Sequence, residues 1–288
     1  MYLLFCPCIS DPGLRASGIT HDRDIRAFDR ALSRCRSFGI GVRYLPCPES
    51  LYLGKNREPA TFSERLDTPD FRLLLEHGED DIRAMIATQG PPLAIVGVDS
   101  SPTCGVNRNW RSPAGREPGR GAFLSRFADI PAFDVYTVAA YRVYLAGPLF
   151  SDAERIWNIR IAEFLRSYAY EVYLPQEVGD STAMRGLDAH LEIFSQNHTA
   201  LDSSDLVVAV LDGADADSGT AWEMGYAYAR GIPVYAIRTD FRMAGATELV
   251  NLMLEQSAVI TRSLQELHDA LPCPVPVPLP ADEKQQQR

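Results

Sequence analysis

Short apolar strands alternate with longer amphipathic helices along most of this chain, and that alternation restricts the fold more than any other feature of the sequence. In the first half, we predict strands at Tyr2–Phe5, Val42–Leu45 and Leu93–Val98, and helices at Asp22–Phe38 and Asp70–Ala87. The unbroken apolar run of Leu93–Val98 is typical of a strand that is buried on both faces. Such an order of elements predicts an α/β protein built on parallel sheets.

A second series of elements begins near Arg142. Its predicted strands and helices occupy residues 142–145, 151–168, 171–174, 187–203, 206–211, 220–230, 233–237, 247–256 and 258–260. The segment from Ser100 to Arg120 is polar and rich in glycine, proline and arginine, which predicts a long loop. The sequence therefore predicts two domains, residues 1–138 and 139–271, and a proline-rich disordered tail over 272–288.

The charge of the chain narrows the class of ligand. A net charge of -10 argues against nucleic-acid binding, because that binding depends on Lys and Arg side chains that neutralise phosphates. No apolar run is long enough for a transmembrane helix, and the first residues lack the basic region of a signal peptide. We expect a cytoplasmic protein that acts on small molecules and contacts neither nucleic acids nor membranes.

Three loops of the second domain are expected at the carboxyl ends of its strands, where open α/β sheets bind ligands. They contain YLAGPLF (144–150), YLPQE (173–177) and LDGADADSGTAWEMGYAYA (211–229). In the third loop, Asp217 and Glu223 are separated by a turn that contains Gly219. Retaining glycosyl transfer requires a nucleophilic carboxylate and a second group that helps to protonate the leaving base. We expect the helix N-terminus to keep Glu223 ionised and Gly219 to let a sugar approach the backbone.

The same residues have a purely structural interpretation. Thr220 and Glu223 have the spacing of a capping box, in which Thr220 would be the N-cap residue and Glu223 the third residue of the helix. Both side chains would then bond to backbone amides, and neither would face a ligand.

Five motifs of the second domain together resemble the nucleoside 2-deoxyribosyltransferase family: YLAGPLFS, LPQE, SSDLVVAVLDG, DSGTAWEMGYAYA and VNLM. The resemblance runs from Val143 to about Gln256 and implies a flavodoxin-like, doubly wound parallel sheet with helices on both faces. It also implies transfer of 2-deoxyribosyl groups between nucleobases, with no cofactor, through a covalent intermediate on Glu223.

The resemblance implies roles for further residues. Asp217 would contact the base and support its protonation, and Tyr144 would orient the nucleophile. Gln176 would contact the base. Asn251 would bind the sugar, in some family members across a subunit interface, which implies a homo-oligomer.

Asn197 departs from the family pattern, which commonly has an aspartate at this position. An amide cannot act as a base, although it can hydrogen-bond the sugar or the nucleophile; the alternative is an ordinary amide on a helix surface. Together with Gly147 and Gly219, Asn197 is included among the predicted substrate-binding residues.

Two other functions stay open from the sequence. Water can intercept a glycosyl intermediate, so the chain would then hydrolyse nucleosides or nucleoside 5'-monophosphates. Asp217 argues against monophosphates, because relatives that act on them tend to have a serine there and a carboxylate repels phosphate. A nucleotide-sensing module that binds without catalysis is the third candidate.

The first domain has three cysteine groups, each just after a predicted strand: Cys6-Pro7-Cys8, Cys47 within PCPE and Cys104 within SPTCG. Three thiolates around a pocket suit a 4Fe-4S cluster with one iron open to substrate, and zinc is the competing metal. Buried free cysteines are the alternative without a metal.

CPES and SPTCG also resemble motifs of a thiouracil-desulfidase-type domain, up to about Trp110. The resemblance implies the cluster ligands Cys8, Cys47 and Cys104, with Cys6 as a substitute for Cys8. It also implies that Glu49 and Ser101 lie beside the cluster and handle protons. The alternative for these two residues is an ordinary place in a turn.

Overall fold

In the computed structural model, residues 1–179, 187–245 and 247–277 are described; the predicted disorder of residues 278–288 lies outside them. The chain forms two compact units, Met1–Ala140 and Tyr141–Arg288. Within the described ranges, no helix has both the length and the apolar character needed to cross a lipid bilayer.

Unit 1 (Met1–Ala140) is a parallel sheet with helices packed against it. Its strands and helices are β1 (Tyr2–Phe5), α1 (Asp22–Ser37), β2 (Gly41–Tyr44), α2 (Pro48–Leu53), α3 (Phe62–Arg65), α4 (Pro69–Gln89), β3 (Ile95–Gly97), β4 (Arg108–Ser112), β5 (Gly115–Pro118), β6 (Ala132–Asp134) and α5 (Val135–Ala139). The sheet has the order β2-β1-β3-β6, and its pairs are all parallel. Its core contains the buried aromatic residues Phe5, Phe28, Phe71, Phe123 and Phe127.

The segment from Ser100 to Arg120, predicted as a loop, contains an antiparallel hairpin of β4 and β5. Gly115 supports the turn with a φ of 137°, a backbone conformation that other residues rarely adopt. Most side chains of both strands are exposed, so they lack the apolar alternation of a half-buried strand. Periodicity therefore could not reveal this hairpin.

Unit 2 (Tyr141–Arg288) is built on a five-stranded sheet. Its elements are β7 (Arg142–Ala146), α6 (Asp152–Arg166), β8 (Glu171–Tyr173), α7 (Pro175–Gly179), α8 (Leu187–Asp202), β9 (Leu206–Val210), α9 (Ser218–Arg230), β10 (Val234–Ile237), α10 (Leu252–Gln256), β11 (Val259–Thr261) and α11 (Leu264–Ala270). The sheet has the order β11-β10-β9-β7-β8, and all its pairs are parallel. Counted from β7, this order is 2-1-3-4-5, the flavodoxin-like order. The predicted α/β class and doubly wound sheet are confirmed.

The central strand β9 explains why an unbroken apolar run marks the middle of this sheet. All five of its residues are buried, because both faces of a central parallel strand are covered. On one face, Val207 and Ala209 belong to the same apolar cluster as Tyr144 of β7 and Met224 of α9. This packing holds α9 against the face of the sheet on which Tyr144 stands.

The structure of unit 2 differs from the predicted elements at one helix and at the start of the proline-rich tail. The helix predicted over 247–256 begins only at Leu252, because the Asn251 side chain accepts a hydrogen bond from the Met253 N–H at 3.0 Å and caps the helix. Residues 272–277, predicted to be disordered, are packed: Cys273 and Val275 are buried, and the Val277 N–H donates to the Ser167 carbonyl at 2.8 Å. Prolines alternate with residues that keep their N–H groups, so an extended segment can still bond to its neighbour.

Candidate functional site

Two tyrosines lie side by side on neighbouring strands of unit 2. Tyr144 on β7 pairs directly with Tyr173 on β8, so both side chains stand on the same face of the sheet. Their rings are stacked, with centroids 5.5 Å apart and planes inclined by 15°. Tyr144 is fully buried, which fixes the position of its hydroxyl group.

Glu223 is the carboxylate that meets this pair. The Tyr144 hydroxyl donates a hydrogen bond to Glu223 Oε1 at 2.5 Å. Glu223 extends from α9 and is partly exposed. One carboxylate oxygen is thus held by Tyr144, while Oε2 has no hydrogen-bond partner among the described residues. The side chain does not turn back onto the amides of its own helix.

The N-terminus of α9 is capped by Asp217. Its Oδ2 accepts hydrogen bonds from the Thr220 N–H at 2.9 Å and from the Thr220 hydroxyl at 3.2 Å. The capping box centred on Thr220 is therefore wrong, because the helix begins two residues earlier at Ser218. Glu223 consequently lies in the second turn of the helix, where it bonds to no backbone amide in the described part of the chain.

The ionisation of Glu223 is dominated by its burial. Burial raises the pKa of Glu223 to about 7; the hydrogen bond from Tyr144 opposes this rise, and the charge of Asp217 adds to it. The prediction that the helix N-terminus keeps Glu223 ionised is therefore wrong. Burial also raises the pKa of Tyr144 far above its usual value, and the Glu223 charge adds to that rise, so Tyr144 is a neutral donor.

Asn197 reaches this group through Tyr173. The Tyr173 hydroxyl donates a hydrogen bond to Asn197 Oδ1 at 2.9 Å. Asn197 lies on α8 and is partly buried, so it is not an ordinary surface amide. Its two N–H donors have no partner among the described residues.

The structure does not bring Gln176 and Asn251 to Glu223 by any hydrogen bond of the described residues. Gln176 is buried: its Oε1 accepts from Asn158 Nδ2 at 3.2 Å and its Nε2 donates to the Arg155 carbonyl at 3.0 Å. Asn251 is exposed, and its side chain caps α10.

The two glycines predicted to contact substrate have different surroundings. A Cβ atom at Gly147 would lie 3.0 Å from Asn158 Oδ1 and 3.2 Å from Val210 Cβ, so a larger residue in the loop after β7 would crowd these neighbours. Gly219 is exposed, and a Cβ atom there would lie 3.1 Å from Asp217 Oδ2. Glycine at this position leaves space around the Asp217 carboxylate.

In unit 1, the three cysteine groups meet at one cavity of about 640 Å³. Its lining includes Cys6, Cys8, Cys47, Cys104, Glu49 and Ser101. The three cysteine groups follow β1, β2 and β3 in turn, and the carboxyl ends of these strands share one edge of the parallel sheet. The structure therefore brings together all the residues predicted for this site.

Glu49 is the centre of a hydrogen-bond network in this cavity. Its Oε1 accepts from the Ser101 hydroxyl at 3.1 Å and from the Thr103 hydroxyl at 2.6 Å, and Arg57 donates to Oε2 at 3.1 Å. The Thr103 hydroxyl also lies 3.5 Å from Cys104 Sγ. Glu49 and Ser101 are thus linked to Cys104 through Thr103.

The surroundings of Cys6, Cys8 and Cys47 favour the thiol form of these three side chains. A hydrogen bond with Cys104, together with burial, raises the pKa of Cys6; burial is the main cause that raises the pKa of Cys8 and Cys47. Among the described residues, no three His, Cys, Asp or Glu side chains are placed to hold a metal ion. This finding applies equally to zinc and to a 4Fe-4S cluster. Three cysteine thiols that line one cavity are the kind of ligand that iron-sulfur clusters use.

Most of unit 2 matches the model of a known protein family. Residues 143–260 match the family model described as nucleoside 2-deoxyribosyltransferase. This match lies entirely within unit 2. The matched residues include Tyr144, Asp217 and Glu223.

Solved structures similar to this chain include a conserved protein from Enterococcus faecalis V583, with 31% identity over 46% of this chain and 96% of that protein and a TM-score of 0.39. A 2-deoxyribosyltransferase from Bacillus psychrosaccharolyticus shares 21% identity over 48% of this chain and 99% of its own, with a TM-score of 0.41. A 4Fe-4S-dependent thiouracil desulfidase shares 17% identity over 46% of this chain and 89% of its own, with a TM-score of 0.32.

Sequence reasoning missed two residues of the deoxyribosyltransferase domain. Tyr173 lies within the YLPQE motif, and its position on a strand next to that of Tyr144 is the signal that could have suggested a pair on one face of the sheet. Asn158, a buried amide that donates to the Pro148 carbonyl at 2.8 Å, carried no signal in the sequence because it lies in the middle of a helix.

Proposed function

We propose that unit 2 transfers 2-deoxyribosyl groups between nucleobases through a covalent intermediate on Glu223. The observation that carries the proposal is the hydrogen bond between the Tyr144 hydroxyl and Glu223 Oε1. It leaves Oε2 without a partner, in a partly exposed carboxylate at the carboxyl ends of the strands. A nucleophilic carboxylate held in this way can attack a sugar carbon.

The proposed reaction has two displacements. Ionised Glu223 attacks C1' of a deoxynucleoside, the bond from C1' to the base breaks, and the base leaves with the bonding electrons and takes up a proton. A second base then attacks C1', releases the Glu223 carboxylate and loses a proton, so the β-anomer is restored after two inversions.

Asp217 is the proposed group for proton transfer to and from the base. Its Oδ2 is occupied by the cap of α9, whereas its Oδ1 has no hydrogen-bond partner among the described residues. Tyr144 stays neutral, so its hydroxyl donates to Glu223 Oε1 and orients the carboxylate, and it does not act as a second nucleophile toward the sugar. Gly147, Gln176, Asn197 and Gly219 are proposed to form the surrounding substrate pocket.

The decisive experiment replaces the nucleophile. Glu223→Gln should abolish the formation of a new nucleoside from deoxyinosine and free adenine, because an amide cannot attack C1'. The matched control is Glu163→Gln, an exposed position on α6, which should leave exchange unchanged. Exchange that persists in Glu223→Gln at a large fraction of the original rate would contradict the proposed role.

The same chromatographic assay separates the alternatives. A new nucleoside indicates transfer, and a free base without a new nucleoside indicates hydrolysis by water. Substrates with and without a 5'-phosphate test whether Asp217 excludes monophosphates, as like-charge repulsion predicts. Binding of a nucleotide without either product would favour a sensing module.

We also propose that unit 2 acts as a homo-oligomer in which Asn251 binds the sugar at the site of a neighbouring subunit. Asn251 is exposed in the single chain and is not bonded to Glu223. Mixed oligomers of Asn251→Ala and Glu223→Gln chains should recover activity that neither chain has alone. Failure of the mixture to recover activity, with both chains folded, would argue against sharing.

For unit 1, we propose a 4Fe-4S cluster held by Cys8, Cys47 and Cys104, with Cys6 as the substitute for Cys8. The supporting observation is that these thiols come from three separate segments and line one cavity together with Glu49 and Ser101. Such a cluster, when bound, offers an open iron to a sulfur atom of a substrate. Glu49 and Ser101 would hold or move a proton beside it.

The cluster proposal is tested without an activity assay. Anaerobic reconstitution with ferrous iron and sulfide, followed by desalting, should leave about four iron atoms per chain and a broad visible absorption. Cys47→Ser with Cys104→Ser should lose both signals, whereas Cys35→Ser, a buried position outside the cavity, should keep them. A colourless chain without iron after reconstitution would refute the proposal.

A further inference from the structure

Glu223 ends a continuous series of contacts that involves four elements of unit 2. Asn197 on α8 accepts a hydrogen bond from Tyr173 on β8, Tyr173 stacks on Tyr144 of β7, and Tyr144 donates to Glu223 of α9. The stacking follows from strand register, because Tyr144 and Tyr173 are direct neighbours on one face of a parallel pair. Within this series, Tyr173 contacts both Asn197 and Tyr144.

We propose that Tyr173 is a positioning residue of the glycosidic site: its ring fixes the Tyr144 hydroxyl against Glu223, and its own hydroxyl fixes the Asn197 amide so that the N–H donors serve a sugar hydroxyl. This proposal rests on the proposed glycosyl transfer at Glu223. Tyr173 acts on the nucleophile Glu223 through Tyr144, and it acts on the binding of the sugar through Asn197.

The ring of Tyr173 governs the nucleophile. The Tyr144 side chain can turn about its own bonds only where its ring has space, and the stacked Tyr173 ring occupies one side of it. The hydrogen bond from the Tyr144 hydroxyl to Glu223 Oε1 depends on the position and angle of that hydroxyl. Loss of the Tyr173 ring should therefore weaken the bond that holds Glu223 Oε1.

The hydroxyl of Tyr173 governs the amide. Because the Tyr173 hydroxyl donates to Asn197 Oδ1, the oxygen of that amide is oriented and its two N–H groups face away from Tyr173. An ionised carboxylate at position 197 would accept the same bond but would offer no donor. It would also place a negative charge in the series of contacts that ends at Glu223, whose pKa the Asp217 charge already raises.

Three variants of the full chain separate these effects. Tyr173→Phe keeps the stacked ring and loses the hydroxyl, so KM for the nucleoside should rise several-fold while kcat stays within twofold. Tyr173→Leu loses both, so kcat should also fall, by roughly tenfold to a hundredfold. Asn197→Asp should move the acidic limb of the pH profile of kcat/KM to higher pH.

A matched control is available on the same sheet. Tyr235 on β10 is aligned with Val208 and Leu145, so it stands on the opposite face from Tyr144. Its hydroxyl has no hydrogen-bond partner among the described residues, and Tyr235→Phe should leave kcat, KM and the pH profile unchanged. An effect of Tyr235→Phe equal to that of Tyr173→Phe would overturn the proposal.

A second measurement does not require turnover. The titration of the Glu223 carboxyl carbon can be followed by NMR in a ¹³C-labelled chain and assigned by its loss in Glu223→Gln. The groups that act on Glu223 are Tyr144 and Asp217. The midpoint should rise in Tyr173→Leu, because the bond from Tyr144 is weakened, and should stay unchanged in Tyr173→Phe.

The two measurements keep the proposals apart. If the unaltered chain shows no exchange, the proposed function fails, whereas the titration still decides whether Tyr173 positions Tyr144. If exchange occurs and Tyr173→Leu leaves both kcat and the Glu223 midpoint unchanged, Tyr173 is not a positioning residue.

Discussion

Removal of the ionisable group at residue 223 should stabilise unit 2 at alkaline pH. Burial raises the pKa of Glu223 in the folded chain to about 7, from 4.5 for a free side chain. A carboxyl group whose folded pKa is raised binds its proton more tightly in the native state, so its contribution to stability is complete below pH 4.5 and is lost as the pH rises through 7. A shift of about 2.5 units corresponds to about 3 kcal/mol at pH 8, as an upper limit for a partly exposed group.

The assay compares the free energy of unfolding of the unaltered chain and of Glu223→Gln at pH 5 and pH 8. Trp157 and Trp222 lie in unit 2, so a Trp110→Phe background makes tryptophan fluorescence report on this unit. The stability of Glu223→Gln relative to the unaltered chain should increase by about 2 kcal/mol between pH 5 and pH 8. The same pH dependence in both chains would refute the inferred burial of an ionisable carboxylate at this position.

The remaining predictions concern the surroundings of Glu223. Tyr144→Phe removes the hydrogen bond that lowers the pKa of Glu223, so the acidic limb of the exchange pH profile should move above pH 7; an unmoved limb in a pH–rate series would contradict this. Asp217→Ala should lower the free energy of unfolding by about 1 kcal/mol, because the helix cap is lost, and should also slow exchange. Asp217→Asn should keep the cap and the stability, but exchange should still be slow because an amide does not transfer the proton. Gly147→Ala should cost about 1–3 kcal/mol in urea unfolding because its Cβ meets Asn158 and Val210, while Gly225→Ala, with no atom within 4 Å, should be neutral or stabilising.

The sequence alone predicts the strands of the unit 2 sheet, because the apolar positions in the sequence are the positions that the fold buries. The apolar run of β9 identifies a central strand, since only a strand covered on both faces has no polar position. The order of the motifs then predicted which loops meet at the carboxyl ends of the strands. By contrast, the hairpin of β4 and β5 was missed, because its side chains are mostly exposed and leave no apolar alternation.

For the candidate site, spacing alone favoured two opposite interpretations of Glu223. A capping box and a nucleophile have the same local pattern, and they differ only in where the helix begins. Asp217 decides this point: it caps the helix, Thr220 becomes the third residue, and Glu223 moves to the second turn. The local sequence did not distinguish these helix boundaries, because both Asp217 and Thr220 are good N-cap residues.

The amino-acid sequence by itself determined the α/β class, the two series of elements and the identity of the residues that carry the candidate chemistry. These properties follow from patterns over neighbouring residues, which depend on strand and helix periods and on side-chain chemistry. The tertiary structure alone decided that Tyr173 joins Tyr144 to Asn197, that burial rather than the helix N-terminus sets the ionisation of Glu223, and that Gln176 bonds inside a buried network. Each of these depends on strand register and on exclusion of water by distant parts of the chain, and neither quantity is encoded in a local pattern.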